Sequence, residues 1–208
     1  MIKEVSGDLL LTHAQVIAHG VAPNDPFHTG LALQLREQWP AMYKDFRHYC
    51  QSKHPKPGTL WAWMGADGKR VVSLFTQDAI EGHHGGTPGP ATVQHVGHAL
   101  RELAKLAETE KFTSIALPRI ATGVGRLAWS DVKPLLDQHL GALKSPILVY
   151  TTYHAGQQAS EGLCAQTAAL AHRAASGNIA APYTWRSIRR RDHDLRSAHV
   201  RPETPLSA

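Results

Sequence analysis

The segment Ala116-Leu117-Pro118-Arg119-Ile120-Ala121-Thr122-Gly123-Val124-Gly125-Arg126-Leu127-Ala128-Trp129 has the residue types needed to hold an anion. Glycine tolerates positive φ and close approach, so successive backbone N–H groups around Gly123 and Gly125 can converge on one phosphate. A helix starting just after the loop adds the favourable end of its dipole. Gly123-Val124-Gly125-Arg126-Leu127-Ala128 also fits the dinucleotide pattern G-x-G-x-x-G/A. That pattern requires an acidic residue at the end of the next strand to bind a ribose. Here the next strand ends Val149-Tyr150-Thr151-Thr152, with no acid, which disfavours a nicotinamide dehydrogenase.

Two further segments carry polar groups at strand ends. Gly7-Asp8-Leu9-Leu10 follows the first strand-like run. An aspartate there can accept a hydrogen bond from an exocyclic amine, although Gly-Asp by itself is only a turn. Ala18-His19-Gly20-Val21-Ala22-Pro23-Asn24-Asp25-Pro26-Phe27-His28-Thr29-Gly30-Leu31-Ala32 leaves a strand, passes through His19, Asn24 and Asp25, and opens a helix. Open α/β sheets bind ligands at such carboxyl ends of strands. His83 and His84 sit in a Gly/Pro-rich stretch. A histidine of near-neutral pKa can shuttle protons in hydrolysis, and Asn24 or Asp25 could position water. The alternative is a buried, hydrogen-bonded His19, with His83 and His84 on a loop outside the chemistry.

The elements that must position these groups alternate between strand and helix, as in a layered α/β domain. Strands are predicted at Ile2–Val5, Gln15–Ala18, Thr59–Met64, Arg70–Thr76, Ser114–Leu117 and Ile147–Tyr150. A helix is expected over Thr29–His48, with Leu31, Leu35 and Trp39 on one face and a kink or break at Pro40. A second runs through Val93, Val96, Leu100, Leu103 and Ala107. A third, capped by Ser130, buries Val132, Leu135, Leu136 and Leu140. Residues 78–90 hold too much Gly and Pro for regular structure. Residues 160–176 are Ala-rich and suit one more helix, and from Pro182 the chain reads as an arginine-rich tail without apolar period.

Bulk properties bound the possibilities. A chain of 208 residues, 42% hydrophobic, can bury one core with an appendage. The net charge is +5, and residues 155–208 carry seven arginines against four acids, leaving 15 Lys+Arg against 13 Asp+Glu elsewhere. The basic tail can attract polyanions, but a solvated end is the favoured reading. No run is long and apolar enough for a membrane span, and the start of the chain does not read as a secretory leader. Cys50 and Cys164 lack metal-type spacing and are expected reduced, with a cytoplasmic location as the default.

Taken in order, Gly7-Asp8-Leu9, Gly30-Leu31-Ala32 and Leu117-Pro118-Arg119-Ile120 running into Gly123-Val124-Gly125 resemble the macrodomain family over roughly residues 1–154. The resemblance implies a three-layer α/β/α fold with a mixed central sheet and a cleft for ADP-ribose. Residues 155–208 would form a C-terminal helical and disordered basic extension. Carried over, Asp8 and Leu9 would meet adenine, and Gly30, Leu31 and Ala32 would line the diphosphate side. Pro118, Arg119, Ile120, Ala121, Thr122, Gly123, Val124, Gly125 and Arg126 would form the loop around the phosphates and distal ribose. Tyr150, Thr151 and Thr152 would flank the adenosine. Neither a cofactor nor a metal is implied.

The strand end Ala18-His19-Gly20-Val21 is similar to a shorter branch of that family, in place of the common N-A-A-N run. That branch holds ADP-ribosyl-glutamate hydrolases, DNA de-ADP-ribosylating antitoxins and ADP-ribose-1″-phosphate phosphatases. The hydrolases and antitoxins use a lysine after the strand that here ends Leu74-Phe75-Thr76, where this chain has Gln77. The glutamate hydrolases add an aspartate where this chain has Gly125. The phosphatase type is closer at His19, at Asn24 and at Leu74-Phe75-Thr76. The resemblance therefore implies either hydrolysis at the distal ribose, with His19, Asn24, Asp25, His83 and His84 as candidate catalytic residues, or a reader that binds without turnover. The partner would be ADP-ribose or a derivative, carried on a protein or nucleic acid, with no membrane. A zinc hydrolase built on His83, His84, His95 and His98 lacks a completing carboxylate or cysteine pattern.

Overall fold

The structure is a computed structural model and describes residues 1–80 and 86–163. Six strands form one sheet: β1 (Ile2–Gly7), β2 (Val16–Val21), β3 (Leu60–Met64), β4 (Arg70–Phe75), β7 (Ile115–Pro118) and β8 (Ile147–Tyr153). Their order is β1-β8-β7-β2-β4-β3. All neighbours pair in parallel except β3 with β4, so the sheet is mixed.

Side chains alternate across a strand, and here both faces are apolar. Val16 and Ala18, Val72 and Leu74, Ile115 and Leu117, and Ile147 and Val149 point to one core. That core is completed by α3 (Val93–Thr109) through Val96, Leu100 and Leu103, and by α4 (Trp129–Leu140) through Val132, Leu136 and Leu140. Ile17, Val21, Val71, Phe75, Ala116 and Leu148 point the other way. They meet Leu35 of α1 (Gly30–Gln38) and Met42, Phe46 and Cys50 of α2 (Pro40–Lys53). The result is the expected three-layer α/β/α arrangement.

The helix expected over Thr29–His48 is two helices, because Pro40 occupies the first turn of α2, where its missing N–H costs nothing. α2 then runs on to Lys53. Residues 78–90 do not form a featureless loop. β5 (Gln77–Ile80) pairs antiparallel with β6 (Thr87–Ala91) in a separate two-stranded ribbon. Prolines are tolerated there because each strand of a ribbon has a free edge. Ser130 lies inside α4, and the cap position belongs to Ala128. Cys50 is a free thiol, and burial pushes its pKa up to about 12, which leaves it unreactive. From residue 164 onward the expected Ala-rich helix, Cys164 and the arginine tail lie outside the described residues, as do His83 and His84. No helix among the described residues is long and apolar enough to cross a membrane.

Candidate functional site

Because β1, β2, β4, β7 and β8 all run in parallel, the segments that leave their carboxyl ends gather along one edge of the sheet. A cavity of about 290 Å³ opens there. Leu9, Gly30, Leu31, Pro118 and Tyr150, drawn from all three motif segments and the end of β8, line it. Gly7, Gln34 and Tyr153 also line it and were not anticipated. Gln34 lies one helical turn beyond Gly30, and its Nε2 donates to the Tyr153 hydroxyl at 3.0 Å. Helical spacing from Gly30 was the available signal for Gln34.

Asp8 caps the short 3-10 turn Leu9–Leu11. Its Oδ1 accepts from the Leu10 N–H and its Oδ2 from the Gly156 N–H, both at 3.0 Å. The carboxylate is thus held in a fixed orientation with lone pairs to spare, since an ionised carboxylate accepts at about four sites. Ala32 packs toward the α1–α2 core. Tyr150 is buried, whereas Thr151 is half-buried and Thr152 exposed.

The loop after β7 is closed on itself. The Leu127 N–H donates to the Ala121 carbonyl at 3.0 Å, and the Arg126 N–H to that of Gly123 at 3.1 Å. Ala121 and Arg126 both adopt φ of 61°, a left-handed conformation that costs about 1 kcal/mol or more for a residue with a Cβ. The Gly125 carbonyl accepts from the Ala91 N–H at 2.9 Å, which ties the loop to β6. The backbone N–H groups of residues 122–125 enter no hydrogen bond among the described residues, and Gly123 and Val124 are exposed. Ile120 anchors the loop in the core, and the Thr122 hydroxyl donates to the Arg119 carbonyl at 2.7 Å. The Arg119 guanidinium lies over the Trp129 ring, 5.6 Å from its centroid. A set of unused N–H groups ahead of the α4 N-terminus is an anion cradle in its electrostatics.

Of the candidate catalytic residues, His19, Asn24 and Asp25 fall among the described residues, and each is held by a neighbour. His19 is 2% exposed. It lies on the face of β2 that points toward α2, with Nε2 3.0 Å from the Ser73 hydroxyl and its ring edge-on to Phe27. Burial lowers its pKa to about 4, so at neutral pH it is uncharged and shielded. Of the two readings of His19, this environment favours the buried, hydrogen-bonded one. Asn24 is a staple instead: its Nδ2 donates to the carbonyls of Ile80 (3.3 Å) and Thr87 (3.2 Å), holding both strands of the ribbon. Asp25 is half-buried, its Oδ1 accepts from the Phe27 N–H at 2.8 Å, and burial raises its pKa. Gln77 is buried at the start of β5, with Nε2 donating to the Gly89 carbonyl at 2.6 Å. Among the described residues no group of three His, Cys, Asp or Glu converges as a metal site.

The His19 environment predicts an acid-sensitive fold. A folded pKa below the unfolded one means the unfolded chain takes up the proton first. The stabilisation is therefore complete above pH 6.5 and lost as pH falls toward about 4. The loss should approach ~3 kcal/mol. Denaturant unfolding between pH 7 and 4 should show a steeper decline for the wild type than for His19→Asn, and parallel declines would refute this.

No protein-family model matches the chain. Among curated proteins, the DNA ADP-ribosyl transferase–DNA ADP-ribosyl glycohydrolase fusion protein of Thermosipho africanus is 24% identical over 160 residues, which cover 70% of this chain and 40% of that protein. The DNA ADP-ribosyl glycohydrolase of Thermus aquaticus is 24% identical over 146 residues, covering 69% and 39%. The chain thus spans about 40% of the length of these relatives. Among solved structures, the macrodomain of Thermus aquaticus DarG superposes with a TM-score of 0.63 at 24% identity, covering 73% of this chain and 98% of that one. Thermosipho africanus DarTG in complex with ADP-ribose gives 0.64 at 20% identity, covering 76% and 42%. With the sheet order, the gathered motif loops and these matches together, the chain is a macrodomain in fold.

Proposed function

We propose that the cleft binds ADP-ribose, or a derivative of it, and that the protein hydrolyses the bond joining the distal ribose to an adduct. The observation that carries this reading is the continuity of two complementary subsites. The apolar cavity beside the fixed Asp8 carboxylate suits a nucleobase with an exocyclic amine. Pro118, in the cavity wall, leads directly into the loop whose N–H groups are unused, and these suit a diphosphate. The curated relatives, named as DNA ADP-ribosyl glycohydrolases, favour an ADP-ribosylated nucleic acid as substrate. ADP-ribosylated protein and ADP-ribose-1″-phosphate are the other members of the class. Asp25, whose pKa burial raises, is the carboxylate in the β2–α1 segment best suited to orient an attacking water.

A second reading, a module that binds without turnover, is favoured by specific contacts. The Gln77 amide is engaged by Gly89, His19 is engaged by Ser73, and Gly125 offers no side chain. One experiment separates the two. Calorimetry with ADP-ribose is paired with product analysis on an ADP-ribosylated oligonucleotide, an ADP-ribosylated peptide and ADP-ribose-1″-phosphate. Binding with release of ADP-ribose or phosphate supports the enzyme, and binding without release supports the module. The absence of binding at millimolar ADP-ribose would sink both.

A further inference from the structure

Two of the segments that line the cavity lead back to one buried carboxylate beyond β8. Tyr150 forms part of the cavity wall, and its hydroxyl donates to Glu161 Oε1 at 2.7 Å. The same carboxylate accepts from the Thr12 hydroxyl and from the His13 N–H (3.0 Å to Oε2). Thr12 is the residue that ends the 3-10 turn containing Leu9, which also lines the cavity. Glu161 is 6% exposed and lies outside the cavity lining.

The chain between β8 and Glu161 grips the Asp8 turn as well. The Asp8 N–H donates to the Gln157 carbonyl at 2.7 Å, the His154 N–H donates to the Gly7 carbonyl at 3.2 Å, and the Gly156 N–H holds Asp8 Oδ2. A Cβ on Gly7 would stand 2.8 Å from both the Ala159 nitrogen and the Gln157 oxygen, so the strap lies directly on the end of β1. Lys3 secures its far end by donating to the Ser160 (2.9 Å) and Glu161 (3.2 Å) carbonyls.

We propose that Glu161 is a positioning residue for the nucleobase end of the cleft, setting the separation of the Tyr150 and Leu9 walls through their hydrogen-bonded neighbours. This rests on the reading of the cleft as an ADP-ribose site. An acceptor shared by the Tyr150 hydroxyl, the Thr12 hydroxyl and the His13 N–H ties the end of β8 to the segment that follows the Leu9 turn. Removing it leaves the Tyr150 and Thr12 hydroxyls buried without this partner, and they must move to regain one.

The test compares ligands that report on opposite ends of the cleft, using the full chain and NMR titration: ADP-ribose, AMP for the base end, and ribose 5-phosphate for the phosphate end. Glu161→Ala should weaken ADP-ribose and AMP by ~10-fold or more, the scale of one lost hydrogen bond. Ribose 5-phosphate should stay within about twofold. Glu161→Gln, which keeps one acceptor oxygen for the hydroxyls, should recover most of the AMP affinity. If Glu161→Ala does not fold, Tyr150→Phe removes only the hydroxyl and should show the same AMP-selective loss. Unchanged AMP binding in the variants, or equal loss of AMP and ribose 5-phosphate, would overturn the positioning role. A wild-type protein that ignores ADP-ribose would bring down the reading of the cleft and this inference with it.

Discussion

Gly123→Glu should abolish ADP-ribose binding while leaving the fold intact. A Cβ at Gly123 meets nothing within 4 Å, and its φ is not in the left-handed region, so the protein has room for the side chain. Such an exposed substitution costs at most about 0.5 kcal/mol of stability, or a few degrees in Tm. The ligand has no such room. A carboxylate placed at the proposed diphosphate subsite opposes the ligand by ~4 kcal/mol at about 4 Å and an effective dielectric of 20, which predicts a loss of affinity of at least ~100-fold. Gly125 gives the contrasting case within the same loop. A Cβ there would lie 2.5 Å from the Ala121 carbonyl oxygen, so Gly125→Val should distort the loop itself and lower stability by ~1–3 kcal/mol. Calorimetry beside thermal unfolding distinguishes the two variants. Wild-type affinity in a folded Gly123→Glu protein would show that this loop is not where phosphate binds.

Phe46→Ala should cost about 3–5 kcal/mol, a large share of the 5–15 kcal/mol that holds a typical domain. Phe46 is fully buried and central to an aromatic cluster. Its ring centroid is 4.9 Å from that of Phe27, 5.7 Å from Trp61 and 6.0 Å from Phe75. No neighbour can refill the void without leaving its own site. The effect should reach the cleft, because Phe27 sits at φ 53° in the segment that carries Asn24 and Asp25. That strained backbone persists only while packing enforces it. Denaturant unfolding checks the stability loss, and a cost below ~1 kcal/mol would show that the cluster relaxes freely.

Much of the fold is legible because its signals are local. The apolar run of Val71, Val72, Leu74 and Phe75, the helical spacing from Val96 to Ala107, and the break at Pro40 each depend on neighbours within a turn or two. The β5–β6 ribbon is a different case. Its pairing of Gln77 with Ala91 and Ile80 with Thr87 is anchored by Asn24, more than fifty residues upstream. Nothing in Thr87-Pro88-Gly89-Pro90 announces a strand. His19 shares the parity of Ile17 and Val21 and so faces the α2 side of β2, but its partner Ser73 comes from the adjacent strand. Glu161 carried no signal at all, since Thr12 is 149 residues away.

By itself the sequence determined which loops have the backbone freedom to hold a ligand. Positive φ, close backbone approach and a helix start are properties of the few residues that supply them, so the glycines and Asp8 marked those turns as candidates. Only the tertiary structure decided which polar groups remain available for chemistry. A side chain is free or committed according to what lies against it, and those partners come from distant strands. That is why His19 and Gln77, both attractive in the sequence, prove to be engaged by Ser73 and Gly89, and why a glutamate outside every motif joins two of the segments that line the cleft.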